Sequence, residues 1–208
     1  MAFGTSGVAF IGIFMSLLTT AIADPKPDII IDVPGSMKMP AFGNLAWGMS
    51  PAQARAAMVA KGYTFTSARS SDLHFKGTVD RQPASITLMF SPTTGLVKQV
   101  VWIHTNTRNL SEARRTYDDV VSTLQKYGTP KKAEIYSYPY KEGDGDEDQA
   151  LRAGKLDIFS IWTLGERNGH PYGVSVNIDT DMEVYVSYES PFWQDESRRR
   201  KAKANSDL

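Results

Sequence analysis

The chain of 208 residues has no cysteine and only three histidines, and its 23 lysines and arginines are balanced by 23 aspartates and glutamates. Without cysteine there is no disulfide, thiolate nucleophile, thioether-linked haem or cysteine-ligated zinc. The charge balance excludes a wholesale polycation or polyanion. Hydrophobic residues still make up 41% of the chain, enough for a real core, so packing rather than cross-linking must hold the fold together.

Local motifs for chemistry are scarce as well. His74, His104 and His170 fall in or beside three different expected strands, with no HxH or HxxxH spacing. No Gly-x-Ser-x-Gly elbow is present. Asp144, Asp146 and Asp148 alternate as calcium ligands can, but the sixth position of that frame is Gln149 instead of glycine and the twelfth is Lys155 instead of glutamate. Residues 142–148 are therefore expected to be a hydrated, self-repelling loop. Asp179, Asp181 and Glu183 also alternate, in a pattern that suits a turn and the start of a strand. The expectation is a chain with no catalytic, cofactor-binding or metal-ligating set.

Residues 7–23, GVAFIGIFMSLLTTAIA, have the length and character of a secretory leader, with Ala21 and Ala23 at the small-residue positions before a cut at Asp24. As a helix Val8 to Ala23 would reach only about 24 Å, against a hydrocarbon core of about 30 Å. The expected organisation is a signal peptide at 1–23, a proline-rich linker or edge segment at 24–43, a single domain at 44–192 and a basic flexible tail at 193–208. A protein so organised is periplasmic or extracellular, without stable membrane insertion after leader cleavage.

Within the domain, Ser50-Pro51-Ala52-Gln53 reads as a capping box with proline at the first helical position, and Gly62 stops that helix. Ala52, Ala56, Val59 and Ala60 are the expected apolar stripe. A second helix starts at Asn109 or Ser111, runs on Leu110, Ala113, Tyr117, Val120, Val121, Leu124 and Tyr127, and stops at Gly128. Strands are expected near residues 63–66, 72–79, 84–91, 96–104, 133–140, 155–164, 172–178 and 183–189, the first four joined by connections too short for parallel crossovers. The fold class is α+β, an antiparallel sheet with two helices packed on one face. The two passes of helix plus strands are either a doubled helix-plus-meander unit or one irregular domain.

The stretch Leu45-Ala46-Trp47-Gly48-Met49-Ser50-Pro51-Ala52-Gln53-Ala54, with its helix to Gly62 and the meander beyond, resembles the opening of small secreted modules of the beta-lactamase inhibitor protein and outer-membrane assembly lipoprotein kind. The resemblance implies a protein-binding or envelope-assembly role rather than chemistry. The chain departs from the lipoproteins in lacking the lipidated cysteine and from the inhibitor in lacking disulfides.

Aromatic residues supply the candidate contacts. Tyr136, Tyr138 and Tyr140 alternate along an expected strand, and Phe192 with Trp193 follows the last strand. Such side chains give large contact area with a polar handle. The expected function is a non-catalytic module that binds an envelope protein through these residues or the exposed sheet face, with no nucleic-acid partner. The alternative is a small-ligand carrier or enzyme with a pocket between helices and sheet, lined by Tyr117, Tyr127 or Trp162.

Overall fold

A computed structural model describes residues 39–105, 107 and 109–206. The expected leader and most of the proline-rich segment lie outside the described residues. The domain is built on one antiparallel sheet of eight strands, β1 (Thr64–Arg69), β2 (Asp72–Val79), β3 (Gln82–Ser91), β4 (Gly95–Ile103), β5 (Lys131–Tyr136), β6 (Leu156–Arg167), β7 (His170–Ile178) and β8 (Val184–Glu189). Their order across the sheet is β1-β2-β3-β4-β8-β7-β6-β5. Two meanders, each preceded by a helix, therefore meet at the middle through their last strands, with Val101 opposite Val186. That arrangement is the doubled unit, and among the described residues β1 and β5 are the two edges.

Helix α1 (Pro51–Ala60) starts as the capping box requires: Gln53 N–H donates to Ser50 Oγ, and Ser50 N–H donates to Gln53 Oε1. Its buried face is Ala54 and Met58, while Val59 is 52% exposed, so the helix is turned away from the expected stripe of Ala52, Ala56, Val59 and Ala60. In a helix this rich in alanine the one long apolar side chain decides the phase, because burying a methionine stabilises by about 1.5–3 kcal/mol and an alanine by far less. Arg55, beside that face, lies 3.9 Å over the Phe65 ring. Ahead of α1, Gly48 N–H donates to Leu96 O and Leu96 N–H donates to Met49 O, which fastens the Trp47-Gly48-Met49 turn to the start of β4.

Helix α2 (Leu110–Leu124) follows its sequence pattern closely. Asn109 caps it through the Glu112 N–H, and Leu110, Ala113, Tyr117, Val121 and Leu124 are buried. Both helices share one core with strand residues on the same face, among them Phe75, Ile86, Leu88, Val101, Val174, Val176 and Val186. Their cross-strand partnerships confirm the face: Phe75 stands opposite Ile86, Ile86 opposite Val101, Val186 opposite Val176.

Two further helices lack an apolar period in the sequence. Helix α3 (Glu147–Arg152) takes up the end of the acidic run, burying Ala150 and Leu151, and Asp148 accepts the Leu110 N–H at the start of α2. Helix α4 (Trp193–Ser206) replaces the expected flexible tail. Ion pairs organise it: Glu196, 2% exposed, accepts from Arg199 and Arg200, and Arg200 reaches Asp72 on β2 and the carbonyl of Phe90 on β3. Lys98 on β4 lies 4.5 Å from the Trp193 ring centroid and Arg167 of β6 lies 3.8 Å over Phe192. Helix α4 thus crosses one end of the sheet, contacting Asp72 and Lys98 on the face opposite α1 and α2.

Candidate functional site

Because side chains alternate along a strand, the residues between those of the core define the second face of the sheet. One row across it, read from the register, is Lys76, Ser85, Trp102, Tyr185, Asn177, Phe159 and Ala133. The next carries Thr87, Val100, Ser187, Ser175, Ile161 and Lys131. Helix α4 occupies the end where β4 begins and β8 ends. The other end is left open by the described residues.

Apolar surface is concentrated on that open part. Trp102 and Tyr185 are direct cross-strand partners with ring centroids 4.5 Å apart, half-buried against each other. Phe159 is half-buried, Ile161 is 38% exposed and Ile135, on the edge strand β5, is 49% exposed. Burial pushes the Tyr185 hydroxyl up, with Asp179, Asp157 and Glu189 adding to the shift, so it stays a neutral phenol. Large apolar side chains standing together on a face that no described element covers are what an interface core requires.

A polar array borders this patch. His104, just beyond β4, accepts or donates at both ring nitrogens: Nε2 lies 2.7 Å from Ser85 Oγ and Nδ1 lies 2.7 Å from Glu183 Oε1. Backbone bonds hold both ends, since His104 N–H donates to Pro83 O while Asp179 accepts the Glu183 N–H and donates its own to Glu183 O. The Asp179 carboxyl is pushed up by burial first, then by Asp181 and Glu183, against the pull of two backbone N–H groups. The three histidines do not converge: His74 meets Thr87, and His170 meets Arg198. Among the described residues no group of three or more acidic or histidine side chains is placed to hold a metal ion.

The aromatic candidates separate into two places. Strand β5 stops at Tyr136, so the tyrosines do not alternate along one strand face; Tyr136 and Tyr140 pack against the core, whereas Tyr138 is 91% exposed. Phe192 and Trp193 sit under Arg167 and Lys98 at the α4 end. Tyr136 pairs with Leu156 and Phe192 lies beside Arg167, the two ends of β6, roughly 36 Å apart at about 3.3 Å per residue. They cannot form one patch. Sequence reasoning missed Trp102, Tyr185, Phe159 and Ile161 as a set, although the strand alternation that defines their face was available.

On the helix side, Tyr117 donates or accepts at 2.6 Å with Ser160 and Trp162 donates to Gly128 O, so both belong mainly to the core. Burial raises the Tyr117 hydroxyl above its ordinary value. A separate cleft of about 200 Å³ opens between α2 and the centre of the sheet, with Val101, Ile103, Val120 and Val186 in its wall and Asp80 and Asp119 also lining it. Among the described residues no helix is long and apolar enough to cross a membrane. Comparison with family models, curated proteins and solved structures returns no match.

Proposed function

We propose that the protein is a protein-binding or envelope-assembly module of the periplasm or cell exterior, and that the open face of the sheet is where an envelope protein docks. The observation that carries this reading is the group Trp102, Tyr185, Phe159, Ile161 and Ile135, which leaves apolar surface facing outward beside the edge strand β5. The likeness of residues 45–62 to small secreted binding modules points the same way. A partner would bury the aromatic pair at the centre and take polar contacts from Lys76, Asn177 and Lys131 around it, the arrangement in which a few central anchors dominate affinity. Trp102→Ala is expected to weaken such a complex about 30-fold, corresponding to about 2 kcal/mol for a central anchor. Affinity capture from envelope extract, compared between the native chain, Ile161→Asp and Tyr138→Ala, tests this. One partner should be retained by the native chain and Tyr138→Ala and lost with Ile161→Asp; retention indifferent to Ile161 overturns the assignment to this face.

The cleft beside α2 favours a second reading, a carrier of a small apolar ligand. Its walls include Val101, Ile103, Val120 and Val186 together with Asp80 and Asp119, yet about 200 Å³ is small beside the usual range of about 300–1,000 Å³ for ligand sites. Native mass spectrometry of the purified chain tests it: a retained organic molecule, released by Val120→Trp, supports the reading, and a bare chain mass refutes it.

A further inference from the structure

We propose that Ser85, His104 and Glu183 form an acyl-transfer site, with Ser85 as nucleophile, His104 as general base and Glu183 as the residue that positions the imidazole. Such a site goes beyond docking, although it shares Trp102, Tyr185 and Lys76 with the docking face, and stands on the hydrogen-bonded array itself. A carboxylate can only accept, so the 2.7 Å contact to Glu183 places the imidazole proton on Nδ1. Nε2 is then a lone pair directed at Ser85, whose hydroxyl donates to it across 2.7 Å. This is the polarity that draws a proton away from a serine as it attacks.

The surroundings fit the chemistry. The side chains of His104 and Glu183 are 33% and 35% exposed, so a substrate can reach Ser85 while the base stays held. Trp102, the cross-strand neighbour of Ser85 on β4, begins an aromatic shelf with Tyr185 on which an aryl or alkyl ester can lie. Lys76, the neighbour of Ser85 on β2, is exposed and projects from the same face, where its ammonium can meet the charge that develops on the carbonyl oxygen. The backbone of β3 is committed to ladders on both sides, so this charge falls to a side chain rather than to main-chain N–H groups.

In the reaction the bond between Ser85 Oγ and the ester carbonyl carbon forms as the Oγ proton passes to Nε2. The bond from that carbon to the leaving oxygen then breaks, and the leaving oxygen takes the proton from Nε2. Water, giving its proton to the same nitrogen, attacks the acyl carbon; the proton then returns to Oγ as the carboxylic acid leaves. No oxidant, reductant or metal enters the balance.

The test uses the full chain with two small probes, an aryl fluorophosphonate followed by intact-mass and peptide mapping, and p-nitrophenyl acetate followed by nitrophenolate release. One phosphonyl group per chain on Ser85 is expected, absent from Ser85→Ala. His104→Gln should slow labelling about 100-fold, the low end for loss of a general base. Glu183→Gln should slow it while leaving the final stoichiometry at one, with partial recovery in Glu183→Asp, a pattern that a purely structural role would not produce. Trp102→Ala should raise the half-saturating ester concentration more than it lowers the maximal rate. Circular dichroism on each variant checks that the fold is retained. No labelling, labelling elsewhere, or equal labelling of Ser85→Ala overturns the proposal. Since neither probe needs a protein partner, these outcomes are independent of whether the sheet face docks one.

Discussion

Replacing Arg200 by methionine should release α4 from the sheet. The guanidinium donates to both oxygens of Asp72 at 2.8 and 2.9 Å, to Glu196 at 2.8 Å and to the Phe90 carbonyl at 3.0 Å. Its side chain is 28% exposed and that of Asp72 is 17% exposed, so the pair is better shielded than a surface ion pair worth about 0–1 kcal/mol. Hydrogen bonds to charged groups contribute about 1.5–3 kcal/mol when shielded, and partial exposure lowers that. Methionine keeps an apolar stem of similar length but not the guanidinium, whose carbon lies 5.8 Å from the Trp193 ring centroid, and Glu196 retains Arg199, so the cost is mainly that of the lost bonds to Asp72, Phe90, Glu196 and Ser71. The expected loss is about 2 kcal/mol in equilibrium urea unfolding. Amide exchange should quicken through residues 193–200. The effect has a definite pH sign. Burial alone would raise the Glu196 carboxyl, but the hydrogen bonds and charges of Arg199 and Arg200 hold it below its ordinary 4.5. Its contribution is therefore complete above about 4.5 and is lost as pH falls through the lower folded value. A stability change under about 0.5 kcal/mol with unaltered exchange in 193–200 would refute the clamp, since that is the size expected of an exposed pair.

Gly95→Ala tests the fastening of the segment before α1. A Cβ at Gly95 would stand 2.2 Å from the Gly48 carbonyl oxygen, and φ there is +68°, so backbone rather than a flexible side chain must move. A loss of about 2–3 kcal/mol in chemical denaturation is expected from strain and clash together, and a loss below about 1 kcal/mol would contradict the close approach. Tyr117→Phe leaves the fully buried Ser160 hydroxyl without its partner and should cost about 1–2 kcal/mol by the same measurement; a neutral change would show that Ser160 satisfies itself elsewhere.

The fold was legible wherever an apolar period coincided with a stop signal. All eight strands and both capped helices stand near their expected places because alternation, Asn109, Ser50 and Gly62 act locally. Failures follow from forces that leave no such period. Alanines on every side of α1 left its phase to Met58, and α4 is fastened by charge pairing to residues more than a hundred positions away, such as Asp72. The tyrosine alternation misled because the strand ends at Tyr136, before the pattern does. The Ser85, His104 and Glu183 array had no sequence signal at all: its contacts span 19 and 79 residues, and only the sheet order brings β3, β4 and β8 together.

The placement of β8 against β4 also sets a timetable for synthesis. Ribosomes deliver the first meander complete, yet the outer hydrogen-bonding groups of β4 find no mate until the final strand emerges some 80 residues later. Throughout that interval the nascent half presents a valine-rich border, Val97, Val100 and Val101, of the kind that recruits unwanted neighbours. A chain cut short before Val184 is therefore expected to precipitate where the whole one stays dispersed.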